Sequence, residues 1–158
     1  ARSIREQIKD TVDFSILSLD TCKTANSLQL TMRDQMITYN KSIIVDCTNP
    51  SESGRARWIN YARDLEKKYP DKIGQITVYI FEMTTSCDLS RHLNALRSRK
   101  KNNKHTYVPR IGYSKYNSMY EEINKDIEGI DEHLRIPFIP IFNGKVNSLL
   151  NFLTMTHI

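Results

Sequence analysis

"SIIVDCTNPSESGRARWINYARDL", residues 42–65, decides how the rest of the chain reads. An unbroken apolar run closes on Asp46, turns through Thr48-Asn49-Pro50 and restarts as a segment studded with arginine. The run is too continuously apolar for a half-exposed strand and suits a central parallel strand buried on both faces. Beyond the turn, Ala56, Ile59, Ala62, Leu65 and Tyr69 recur at helical spacing, while Arg55, Arg57, Arg63 and Lys67 point away from the middle of that stripe, toward a polyanion or solvent.

Working outward, the same alternation repeats. "FSILSLD" (14–20) reads as a strand closing on Asp20, and residues 24–40 place Leu28, Met32, Met36 and Tyr39 on one helical face. "QITVYIFEM" (75–83) predicts another strand, followed by a helix from Asp88, taken as its N-cap, to about Lys100. "IPFIPIF" (136–142) predicts an edge strand, because its two prolines cannot donate to a central ladder. Strands alternating with helices give an open parallel α/β sheet, since parallel neighbours need helical crossovers. Ligands bind beyond the carboxyl ends of such strands, where both Asp20 and Asp46 fall. Two carboxylates there suit acid/base work or a magnesium ion; an Asp after a strand also serves as a helix cap or turn former.

At 158 residues the chain suits one domain, and it shows no repeat, low-complexity tract or Gly/Ser linker. The formal net charge is +5, with a pI near 9.1. That charge is local: residues 91–115 hold eight Lys and Arg with no Asp or Glu, leaving the remainder at −3. Within it, "RSRKKNNK" (97–104) fits either a landing strip for nucleic acid, with Tyr107, Tyr113, Tyr116 and Tyr120 nearby to stack bases, or a solvated loop. Cys22, Cys47 and Cys87 form no C-x-x-C pair, which points away from a disulfide framework or zinc site and toward a reducing compartment. The four histidines are scattered, so no metal ligand set is expected from the chain. No apolar stretch approaches the roughly 18 to 20 residues that cross a bilayer.

The conjunction is more specific than its parts. "IIVDCTNPSESGRARWINYAR" resembles the stretch after the substrate strand in the kinase domain of polynucleotide kinase-phosphatases: apolar run, Asp-x-Thr-Asn-Pro, spacer, Arg-Ala-Arg, amphipathic helix. "SLDTC" resembles that family's upstream Asp-Thr step, "LSRHLNALR" its lid helix, and "VPRIGYSKY" and "IPF" the segments after the lid, all in order from residue 14 to 138. The resemblance implies a P-loop-kinase-like open parallel sheet flanked by helices, moving the γ-phosphate of ATP to the 5′-hydroxyl of DNA or RNA with Mg²⁺. It implies Asp20 as the general base and Arg97 as the lid cation that neutralises charge on the phosphoryl oxygens. Thr21, Lys23, Asp46 and Asn49 are implied on the acceptor side, and Arg91, Asn94 and Arg99 in the lid and nucleotide-binding part. Residues 1–158 are then one kinase-like domain with a basic lid region at 91–115. Its place is inside the cell, in cytoplasm or nucleus, in nucleic-acid repair, with no membrane and with a phosphatase or ligase domain or other subunits as companions.

Two features depart from that family. A phosphate loop needs G-x-x-x-x-G-K-[ST], and none of the five glycines stands before a Lys-Ser or Lys-Thr pair. "ARSIREQIKD" resembles the helix that follows such a loop, so the first strand and loop are expected just before Ala1; the alternative is a degenerate relative acting as a binding or structural module. Lys23 stands where some relatives carry Arg, and it neutralises a phosphate without bidentate geometry. A kinase of small metabolites or nucleosides on the same scaffold is the remaining alternative.

Overall fold

The computed structural model describes residues 12–99 and 107–136. Strand β1 (Phe14–Ser18) passes through a short helix α1 (Leu19–Cys22) and a long helix α2 (Ala25–Tyr39) into β2 (Ser42–Asp46). Helix α3 (Glu52–Lys68) leads to β3 (Tyr79–Met83); α4 (Cys87–Arg99), α5 (Arg110–Met119) and α6 (Lys125–Glu128) precede β4 (Glu132–Ile136). This is a mixed α/β arrangement of small parallel sheets flanked by helices. Among the described residues β1 pairs only with β2, and β3 only with β4, so the expected open sheet is present as two parallel pairs. The middle residues of β2 are accordingly half-buried, not enclosed on both faces.

Local signals explain most boundaries. The hydroxyl of Thr24 accepts from the backbone N–H of Ser27 at the start of α2, and Asn40 ends that helix at φ 50°. Asn tolerates this left-handed geometry better than most side chains. Ser51 caps α3 by accepting from Gly54 N–H, and a Cβ at Gly54 would stand 3.2 Å from the Ser51 hydroxyl, so a glycine keeps that cap open. The helix expected from Asp88 is capped two residues earlier: the Ser86 hydroxyl accepts from Leu89 N–H, and Asp88 lies in the first turn.

Leu17, Leu28, Met32, Trp58 and Ala62 form the core, so α2 and α3 both pack on the β1–β2 pair. Leu28 is fully buried, and such a side chain contributes about 1.5–3 kcal/mol through apolar burial. Tyr39, expected on the same face, is 60% exposed at the helix's last position.

Two expectations change. The buried stripe of α3 is Arg55, Trp58, Ile59, Ala62 and Leu65, so Arg55 faces neither solvent nor a polyanion; Arg57 is exposed. The strand expected over 75–83 begins only at Tyr79, because side chains satisfy the backbone before it. Glu66 accepts from Ile76 N–H, Arg63 donates to the Ile76 carbonyl, and Asp131 accepts from Val78 N–H. The edge strand expected at 136–142 overlaps β4 only at Ile136; the rest of it, the segment after it, and Lys100 to Lys104 of the basic run lie outside the described residues. Among the described residues, no helix is long and apolar enough to cross a membrane.

Candidate functional site

Parallel pairing sets the site. Ser18 and Asp46 are register partners, so the carboxyl ends of β1 and β2 lie side by side, and Asp20 stands two residues beyond that point. The Ser18 hydroxyl accepts from Asp20 N–H, which starts α1 immediately after the strand and holds Asp20 in its first turn. Asp20 and Asp46 are both exposed, and among the described residues neither forms an ion pair.

The chain leaves α1 through a tight turn. Lys23 N–H donates to the Leu19 carbonyl, Thr24 N–H donates to the Cys22 carbonyl at 2.7 Å, and Lys23 sits at φ 63°, ψ −38°. A three-residue turn with positive φ at a non-glycine centre is a strained conformation. It keeps Thr21 and Lys23 exposed on the rim beside Asp20. Asp20, Thr21, Lys23 and Asp46 are therefore brought to one end of one strand pair.

The other implied site residues are placed differently. The Asn49 side chain is engaged inside the chain: its Oδ1 accepts from Trp58 Nε1 at 3.1 Å, and its Nδ2 lies 3.1 Å from Cys47 Sγ. That pins the Thr-Asn-Pro turn against α3. Burial pushes the Cys47 thiol up in pKa, which disfavours a thiolate there. Asn94 is buried and clamps Val108 from both sides, donating to its carbonyl at 2.9 Å and accepting from its N–H at 3.2 Å. Arg91 lies over the Tyr113 ring at 5.8 Å and 3.5 Å from Asp88, beside a cleft of about 260 Å³ lined by Thr85, Ser90, Leu93, Asn94 and Tyr113. Its Nε is buried with no hydrogen-bond partner among the described residues. No hydrogen bond or ion pair among them joins Arg91 or Asn94 to the rim carboxylates. The side chains of Arg97 and Arg99 lie outside the described part of the structure.

Two charged clusters escape the sequence reading. Arg55 and Glu128 form a bidentate pair at 2.7 and 2.8 Å, with side chains 5% and 1% exposed. Burial raises the Glu128 pKa, but hydrogen bonds from Arg55 and from Asn124 N–H outweigh it and hold the carboxyl below its ordinary value. Glu82 accepts from Tyr120 Oη at 2.6 Å and lies 3.0 Å from His133 Nε2 and 3.2 Å from Arg135 Nε, bordering a cleft of about 330 Å³. Burial likewise raises the Glu82 pKa, and these partners bring it below the usual range. The same hydrogen bond, aided by burial, pushes the Tyr120 phenol up to about 12. One signal for Glu82 was present: an acid inside an apolar strand calls for a partner.

Magnesium is commonly held by one or two carboxylates together with substrate phosphates, and exposed Asp46 beside Asp20 fits that donor chemistry. No group of three His, Cys, Asp or Glu side chains that could hold a metal is present among the described residues, and no loop among them matches a phosphate cradle. A scan against protein-family models found no match, and a search of curated proteins found none either.

Proposed function

We propose that the protein is a phosphotransferase that moves the γ-phosphate of ATP to the 5′-hydroxyl of a DNA or RNA end, on a P-loop-kinase-like sheet. The observation that carries the reading is the pair of exposed carboxylates, Asp20 and Asp46, on adjoining ends of two paired parallel strands. The motif order of the sequence supports it. The β1–β2 and β3–β4 pairs are consistent with halves of one such sheet.

Asp20 accepts the proton of the attacking hydroxyl; a base held within hydrogen-bond reach contributes about 10² to 10⁴ in rate. Asp46 flanks the acceptor and would supply a carboxylate toward the Mg²⁺ that accompanies ATP. ATP would supply the phosphoryl group, and a bound Mg²⁺ would offset the charge on its oxygens. Lys23 neutralises an acceptor phosphate as a point charge. Arg97 is assigned to the lid by resemblance, where a planar fork matches the phosphoryl oxygens better than an ammonium does. The protein works inside the cell on nucleic-acid ends, and a phosphatase, ligase or other subunit is its companion.

The test offers the intact protein ATP, Mg²⁺ and a 5′-hydroxyl oligonucleotide beside free nucleosides and sugars. Label is expected on the oligonucleotide. Label only on a nucleoside or sugar overturns the acceptor class. Failure to bind ATP in a titration overturns the enzyme and leaves a kinase-like binding module.

A further inference from the structure

Arg55 is the most thoroughly used side chain among the described residues. Its Nε and Nη2 hold both oxygens of Glu128, and its Nη1 donates at 3.1 Å to the Pro50 carbonyl and at 3.1 Å to the Glu121 carbonyl. Longer contacts of 3.5 Å reach the carbonyls of Asn49 and Glu122. Three segments therefore meet on one guanidinium: the turn after Asp46, the stretch after α5, and α6, which follows that stretch and leads into β4. The first two also bond each other, with Glu121 N–H donating to the Pro50 carbonyl at 2.8 Å and Glu52 N–H donating to the Glu121 carboxylate.

This arrangement has an electrostatic consequence for the rim. The carbonyls of Asn49 and Pro50 are drawn inward onto a buried cation, so their lone pairs are not offered to an approaching anion. Only a planar, multiply donating cation can hold a carboxylate bidentately and donate to several carbonyls at once. Burial at 5% exposure makes Arg55 unable to touch a substrate.

We propose that Arg55, held by Glu128, is a positioning residue for the anionic acceptor strand: it sets the pose of the Asn49–Pro50 turn beside Asp46 and locks it to the β4 side of the molecule. The role rests on the phosphotransferase reading. Loosening the latch displaces the acceptor and leaves ATP in place.

Arg55→Lys and Glu128→Gln are made in the intact protein, and two quantities are read. The first is KM for the 5′-hydroxyl oligonucleotide against KM for ATP. The oligonucleotide KM is expected to rise on the order of tenfold while the ATP KM stays put, since small misplacements are costly in reaction geometry. The second is amide exchange, expected to accelerate at Glu52 and Glu121, whose N–H groups donate across the latch, and to remain slow along residues 25–39. If Arg55→Lys does not fold, Glu128→Gln, which keeps the shape and removes the charge, reads the same quantities. Equal rises in both KM values, unchanged values, or exchange accelerated throughout the chain overturn the positioning role. A wild-type protein that transfers no phosphate overturns the function instead, and the acceptor role with it.

Discussion

Around β1 and β2 the chain closes on apolar side chains, Leu17, Leu28, Met32, Trp58 and Ala62, whereas around β3 and β4 buried Ile73 and Ile130 are joined by polar and charged contacts: Arg55 with Glu128, Arg63 with Asp131, and Glu82 with His133 and Arg135. The difference separates two kinds of carboxylate. Glu82, Glu128 and Asp131 are held by hydrogen bonds and cations below their ordinary pKa, so their lone pairs are committed to structure. Asp20 and Asp46 stand exposed on a rim built by hydrophobic packing, and no cation among the described residues neutralises them. An apolar foundation leaves the acids above it available for chemistry.

The largest effect is expected from removing one partner of the buried pair. Glu128→Ala strands the Arg55 guanidinium, and losing one side of such a pair costs about 3–5 kcal/mol, read by denaturant unfolding. A loss well under that range breaks the claim that charge holds this region. Leu28→Ala on the other side is expected to cost about 3 kcal/mol through its cavity, with no localised loss around β4.

Acid sharpens the contrast. The folded pKa of Glu128 lies below its unfolded value, so its contribution is complete above the ordinary glutamate value of 4.5 and is lost as pH falls through the folded value. The stability gap between wild type and Glu128→Ala should therefore narrow below that pH, while the Leu28→Ala gap persists. Unfolding curves that narrow equally for both variants would remove the distinction.

The smallest effect is expected at Tyr120. Tyr120→Phe deletes one hydrogen bond to Glu82, about 1 kcal/mol, while His133 and Arg135 remain. The phenol's raised pKa stabilises the fold fully below its ordinary value of 10, and that contribution is lost as pH rises toward about 12. Tyr120→Phe should lack that alkaline component in a pH series of unfolding midpoints.

What was legible in the sequence follows the range of the forces involved. Both bounds of β2 could be read because an apolar run sits between Asn40 and the Thr-Asn-Pro turn, and α2 because Thr24 and Asn40 punctuate it locally. The late start of β3 could not be read, since Glu66, Arg63 and Asp131 reach its backbone from other elements. Arg55 looked like a solvated helix arginine because Glu128 lies 73 residues away. At the rim, strand order alone placed Asp20 and Asp46 together. The inward commitments of Asn49 and Asn94 depend on Trp58 and Val108, which no spacing rule connects to them.

The most direct test compares one carboxylate from each region. Asp20→Asn and Asp131→Asn are assayed for phosphoryl transfer to a 5′-hydroxyl oligonucleotide and, in parallel, for thermal unfolding. Asp20→Asn is expected to lose transfer by about 10² or more with an unchanged midpoint, and Asp131→Asn to lower the midpoint while retaining transfer. Near-full activity in Asp20→Asn, or an equal loss of transfer in Asp131→Asn, would contradict the account.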